Sequence, residues 1–119
     1  MKRMVLAAIL TIPAMVLAHH GMSEYDSSKL VKLTGKIVES AYENPHSHLR
    51  LETKGEGATA GKTWNVVLAP PSRMVYRGLE KSALKPGTTA TVEGYPSRDK
   101  PEELHAERIT VNGKTVELR

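Results

Sequence analysis

The chain of 119 residues contains no cysteine and no phenylalanine, and its aromatic side chains are one tryptophan and four tyrosines. Without cysteine there is no disulfide stapling, no thiolate metal site, no thiol nucleophile and no lipid-modified cysteine behind a leader. So few rings stock a stacking platform for single-stranded nucleic acid or sugars poorly. The longest apolar run, residues 4–17, is interrupted by Pro13 and falls short of the ~20 residues of a membrane-spanning helix. A Gly-x-Ser-x-Gly nucleophile elbow is missing. Gly55, Gly57 and Gly61 lack the Lys-Ser/Thr ending of a phosphate loop. Glu24, Asp26, Glu39, Glu43 and Glu52 show no spacing that fixes an acid and base pair. The expectation is a protein that is not an enzyme.

What is present begins with a leader. Lys2 and Arg3 give a basic start, residues 4–17 an apolar stretch, and Val16-Leu17-Ala18 a small-residue exit, so residues 1–18 read as a secretory signal peptide. Cleavage between Ala18 and His19 predicts a periplasmic or secreted product without a membrane span. Residues 19–29 are then expected to be a flexible N-terminal segment and residues 30–119 one small domain. The formal charge of +4 is partly that of Lys2 and Arg3, and the remaining Lys and Arg are interleaved with Glu and Asp. No basic stripe exists, so nucleic acid is not an expected partner.

Alternation with period two marks the strands. Residues 30–41 alternate Val31, Leu33 and Ile37 with Lys32, Thr34 and Lys36, and Gly35 in mid-strand predicts a bulge or sharp bend. Residues 48–53 and 63–68 follow, the latter with Trp64, Val66 and Leu68 on one core face. Ala69-Pro70-Pro71 stops that strand, and Ser72 is expected to cap a short helix over 73–79. Two more strands are predicted at 88–95 and 107–111, before an Asn112-Gly113 type I′ hairpin into 115–118. The predicted fold is therefore all-β and mainly antiparallel: a small five- to six-stranded Greek-key barrel like the oligonucleotide/oligosaccharide-binding (OB) fold, with one short helix between strands three and four.

Five motifs occur in order. They are His19-His20-Gly21-Met22 after the leader, Leu33-Thr34-Gly35-Lys36-Ile37, Asn44-Pro45-His46, Trp64-Asn65-Val66, and Leu84-Lys85-Pro86-Gly87 with Val92-Glu93-Gly94. Together they resemble the DUF6152 family of small exported bacterial proteins, over nearly the whole mature chain. This chain has Met22 where the family commonly has an aromatic, Tyr42 where tryptophan is common and Lys100 where a turn glycine is common. The resemblance implies export, compactness and the two histidine motifs, and no reaction.

Chemistry therefore rests on His19, His20, His46, His48 and His105. An amino-terminal His19 would chelate one ion through its amine and its ring. A further imidazole completes a nitrogen set that suits Cu(II), the strongest divalent competitor for such ligands. His46, held by Asn44-Pro45, is the expected partner, with His20 and His48 as accessory ligands and Met22 as a soft thioether that favours Cu(I). His105, after Glu102 and Glu103, reads as a solvated residue approaching a strand. The expected function is transition-metal binding, copper favoured. The alternative is a non-catalytic module of the cell envelope that binds a ligand or a partner protein, for which Tyr42 and Tyr95 on one open face would be the mark.

Overall fold

The structure is a computed structural model that describes residues 22–54 and 61–119. The predicted leader, His19 and His20 lie outside the described residues.

After a 3-10 turn at Met22–Glu24, strand β1 covers Val31–Ala41, β2 His48–Thr53 and β3 Thr63–Val67. Helix α1 is Pro71–Tyr76, a second 3-10 turn is Lys81–Leu84, and β4 (Thr89–Pro96), β5 (Glu103–Val111) and β6 (Lys114–Glu117) complete the chain. The ladder runs β3-β2-β1-β4-β5-β6, and an added β3–β5 pairing closes five of these strands into a barrel. β3 and β5 run parallel, with Asn65, Val66 and Val67 opposite Glu103, Leu104 and His105. A five-stranded barrel with its helix between β3 and β4 is the expected OB-like plan. Among the described residues, no helix is long and apolar enough to cross a membrane.

The predicted alternation is what fills the interior. Leu33 and Ile37 of β1, Leu49 and Leu51 of β2, Trp64 and Val66 of β3, Val92 of β4 and Leu104 and Ile109 of β5 are all buried in one cluster. Met74 from α1 and Leu84 from the second 3-10 turn join the same cluster. β1 can serve two neighbours because it is long: Gly35 and Lys36 pair with both β2 and β4.

Three local expectations are corrected. The register slip in β1 falls between Ile37 and Glu39, so the bulge is at Val38 and not at Gly35. Gly35 is needed for another reason, because a Cβ there would run into the backbone carbonyl of Glu52. Ser72 does not cap α1. The N-cap is Pro70, with Pro71 in the first turn and no side-chain cap, and the amides of Arg73 and Met74 donate to the Pro70 carbonyl; proline's fixed φ suits this start. The helix also stops short of Leu79, since Gly78 takes φ +85 and the Gly78 and Leu79 amides turn back to the Val75 and Met74 carbonyls. The hairpin is as predicted, with Asn112 at φ 51 and Gly113 at φ 75, the two left-handed residues of a type I′ turn.

Candidate functional site

One face of the barrel is built from polar rows. His48 of β2 pairs with Val67 of β3, which pairs with His105 of β5. The next row is Arg50, Asn65 and Glu103. Side chains alternate between the two faces of a strand, and Val66 and Leu104 are in the core, so Asn65, Val67, Glu103 and His105 sit on the outer side. Two loops border this face, residues 42–47 between β1 and β2 and residues 97–102 between β4 and β5, and bring His46 and Lys100 to it. In OB folds the β2–β3 face and these two loops form the binding surface.

A cavity of about 520 Å³ opens here. His46, His48 and His105 line it, together with Tyr25, Glu103 and an apolar floor that includes Val67 and Leu68. His46 is exposed but held from behind. The next residue, Ser47, is fully buried. Its amide donates to the Ala69 carbonyl, and its own carbonyl accepts from the Leu68 amide. The Glu43 amide donates to the Ser47 hydroxyl at 3.2 Å. The loop is thus tied to the segment after β3, and the His46 ring comes to 6.3 Å from the His105 ring, centroid to centroid, at 71°.

His105 is the residue that the sequence reading set aside, and the cause lies in β5. Glu93 faces Arg108 but Gly94 faces Ala106, so Glu107 is an extra residue in the strand. The apolar period therefore breaks between Ala106 and Ile109, which hides the first third of the strand. Read without that break, Glu103, His105 and Glu107 alternating with Leu104 and Ala106 was the available signal. Burial first, and then the positive charges of Arg119 and His46, hold the His105 imidazole below the ordinary histidine range, with the Glu103 carboxylate opposing. These surroundings favour the neutral ring. His105 Nδ1 is buried with no hydrogen-bond partner among the described residues.

Tyr25, Glu103 and Asn65 were also not singled out as site residues. The Tyr25 hydroxyl donates to Glu103 Oε2 at 3.1 Å, and Asn65 Nδ2 donates to Glu103 Oε1 at 2.9 Å. The Tyr25 ring meets the His105 ring edge-on at 5.0 Å. Burial and the neighbouring Glu103 charge push the Tyr25 phenol well above the usual tyrosine range. Burial raises Tyr42, and a hydrogen bond to Glu107 raises Tyr95. The unfolded chain gives up phenol protons from about pH 10 while the folded chain keeps them. Stability is therefore expected to be undiminished below about pH 10 and to fall as pH rises past it. Chemical denaturation between pH 8 and 11 checks this, and Tyr25→Phe should shallow the fall.

Of the residues predicted from sequence, the structure brings His46 and His48 to one cavity and adds His105. His48 is separated from His105 by Val67 in the row and makes no ring contact with it. Met22 lies in the 3-10 turn before Tyr25. Among the described residues, no group of three or more His, Cys, Asp or Glu side chains is placed to hold a metal. Tyr42 and Tyr95 do not line the cavity. The Tyr42 hydroxyl donates to the Leu79 carbonyl at 2.9 Å, and the Arg119 guanidinium lies 5.3 Å over the Tyr95 ring.

No curated protein matches the sequence. Among solved structures, the chain is similar to one in the crystal structure of a complex of TiaS with a tRNA and ATP. The TM-score is 0.50 and the identity 17%, over 73% of this chain and 19% of that one. The present chain thus spans about one fifth of that protein, and at this identity the likeness concerns the fold alone. A family model described as a family of unknown function matches residues 7–105. With the motifs and the barrel both in place, the chain belongs to that family, DUF6152.

Proposed function

We propose that this barrel is an exported, non-catalytic protein that binds a transition-metal ion, copper in preference, at the mouth of the histidine-lined cavity. His46 and His105 are the imidazole ligands. The observation that carries the reading is the meeting of these two rings from different elements at 6.3 Å. A metal–nitrogen bond of about 2.0–2.1 Å puts each ring centroid ~3.2 Å from the ion, so two imidazoles on opposite sides of one ion have centroids up to ~6.4 Å apart. A ligating histidine must be neutral, and the surroundings of His105 favour that form. Its partnerless Nδ1 points the same way, since a buried polar atom left unpaired costs about 1–3 kcal/mol.

Two imidazoles do not complete a site, and the main further donors are those of His19, on the chain before Met22. Glu24 lines the cavity, and because Met22–Glu24 is a 3-10 turn, the three residues back to His19 span at most ~11 Å from Met22 when extended. Cleavage after Ala18 would free the His19 amine within that reach. His19 then supplies amine and ring nitrogen, with His20, His48 and Met22 as accessory donors. A nitrogen-rich set of this kind favours Cu(II) over Zn(II).

The test is a chelator-competition titration of Cu(II) into protein that begins at His19, beside the same protein with Gly-Ser before it. The extension is expected to weaken binding at least tenfold by displacing the amine, a loss of about 1.4 kcal/mol. Equal affinity would exclude the amino-terminal chelate.

A second reading is favoured by size. The cavity, at about 520 Å³, far exceeds an ion and falls in the range of small-molecule sites, with an apolar floor. On that reading the barrel is an envelope module for an organic ligand or a partner protein. Thermal stabilisation by such a ligand in metal-free protein would support it.

A further inference from the structure

We infer that Tyr25 and Glu103 are a positioning pair, which docks the entering chain at the cavity mouth and sets the His105 ring. This rests on the metal reading above. Glu103 is not a surface carboxylate: it is 9% exposed, and Tyr25 is 8% exposed. Its two oxygens accept from the Tyr25 hydroxyl and from Asn65 Nδ2, and Lys100 Nζ lies 4.0 Å away. A buried carboxylate with a donor on each oxygen is fixed in direction, and removing a donor leaves charge uncompensated.

The backbone completes the clasp. Tyr25 bridges Ser97, the Asp26 amide donates to the Pro96 carbonyl at 2.9 Å, and the Arg98 amide donates to the Glu24 carbonyl at 2.9 Å. Residues 24–26 are thereby laid onto the loop between β4 and β5. The same phenol ring that reaches Glu103 presses edge-on against His105 at 5.0 Å, an arrangement that limits rotation of the imidazole. One residue thus fixes both a proposed ligand ring and the point from which the chain toward His19 leaves the barrel. Groups that orient a metal ligand act in this way, and their loss typically weakens metal binding 10- to 100-fold.

The experiment compares processed wild-type protein with Tyr25→Ala, Tyr25→Phe and Glu103→Gln by two readouts. These are the affinity and electron paramagnetic resonance spectrum of added Cu(II), and amide hydrogen exchange of the metal-free protein. Tyr25→Ala is expected to bind Cu(II) at least tenfold more weakly with an altered nitrogen hyperfine pattern. It should also lose protection at the Asp26 and Arg98 amides while the barrel amides stay protected. Tyr25→Phe keeps the ring against His105 but loses the donor to Glu103, so its affinity and spectrum should fall between those of wild type and Tyr25→Ala. If Tyr25→Ala does not fold, Glu103→Gln, which keeps the volume and loses the charge, is expected to change affinity and spectrum in the same direction. A wild-type spectrum and affinity in Tyr25→Ala, or in Glu103→Gln where that variant stands in, would overturn the pair and leave the metal reading standing. If wild-type protein takes up no Cu(II), the metal reading fails, and the role of the pair at a metal ligand fails with it. Unchanged protection at Asp26 and Arg98 would overturn the docking role separately.

Discussion

Replacing His46 and His105 together with alanine is expected to weaken Cu(II) binding at least a hundredfold, about 2.7 kcal/mol, in a barrel that still folds. Neither substitution opens the core: His46 is exposed on its loop, and His105 faces outward between the buried Leu104 and Ala106. The single variants should each lose a large part of this affinity. His48→Ala should lose less, because Val67 separates His48 from His105 across β3. Chelator competition measures the affinities, and circular dichroism reports whether the fold is kept. Two folded single variants with wild-type affinity would remove these imidazoles from the site.

The second large effect is on the fold itself. Gly94→Ala is expected to destabilise the barrel by about 3 kcal/mol, the upper end for forcing extra atoms into packed structure. A Cβ at Gly94 would collide with the carbonyl of His105 and come within 2.8 Å of the Ala106 Cα. Both obstacles are backbone, so no side chain can swing aside and β4 must part from β5. For a domain of this size, 1 kcal/mol corresponds to roughly 4–8 °C in Tm, so the melting temperature should fall by more than about 10 °C. The displaced strand is the one that carries Glu103 and His105, so metal affinity should fall as well. A loss under about 1 kcal/mol would mean that the β4–β5 contact yields more easily than its geometry implies.

How much of this was legible in the sequence differs between the strands and the site. β2 was read to the residue, because His48–Thr53 keeps strict alternation over a half-buried strand. The Asn112-Gly113 turn was equally plain, since few other residue pairs accept two successive left-handed conformations. The front of β5 was not, because the extra residue at Glu107 shifts its apolar positions from even to odd numbers, although Leu104, Ala106, Ile109 and Val111 all face the core. The parallel β3–β5 contact, which places Glu103 beside Asn65 and His105 beside Val67, leaves no local mark at all. It follows from closure of the barrel.

The site divides along the same line. His46 was legible because Asn44-Pro45 marks a loop residue through its nearest neighbours, and the structure adds the Ser47 bonds that hold it. His105 was hidden with its strand. Tyr25 sat in a stretch without periodicity, and its partner Glu103 is 78 residues away. An outward-facing carboxylate and a tyrosine in a polar lead carry no sequence signal that they are each other's partner. Tyr42 drew notice as an aromatic beside the Asn-Pro-His loop, and its hydroxyl is instead spent on the Leu79 carbonyl.

Where an ion sits decides whether His46 and His105 are its ligands. Crystals of the processed protein grown with Cu(II), with anomalous diffraction recorded on both sides of the copper absorption edge, would locate it directly. The prediction is one strong copper peak at the cavity mouth, bonded to His46 and His105 with the amino-terminal nitrogen beside them. A peak elsewhere on the barrel, or none in protein that binds copper stoichiometrically in solution, would contradict it.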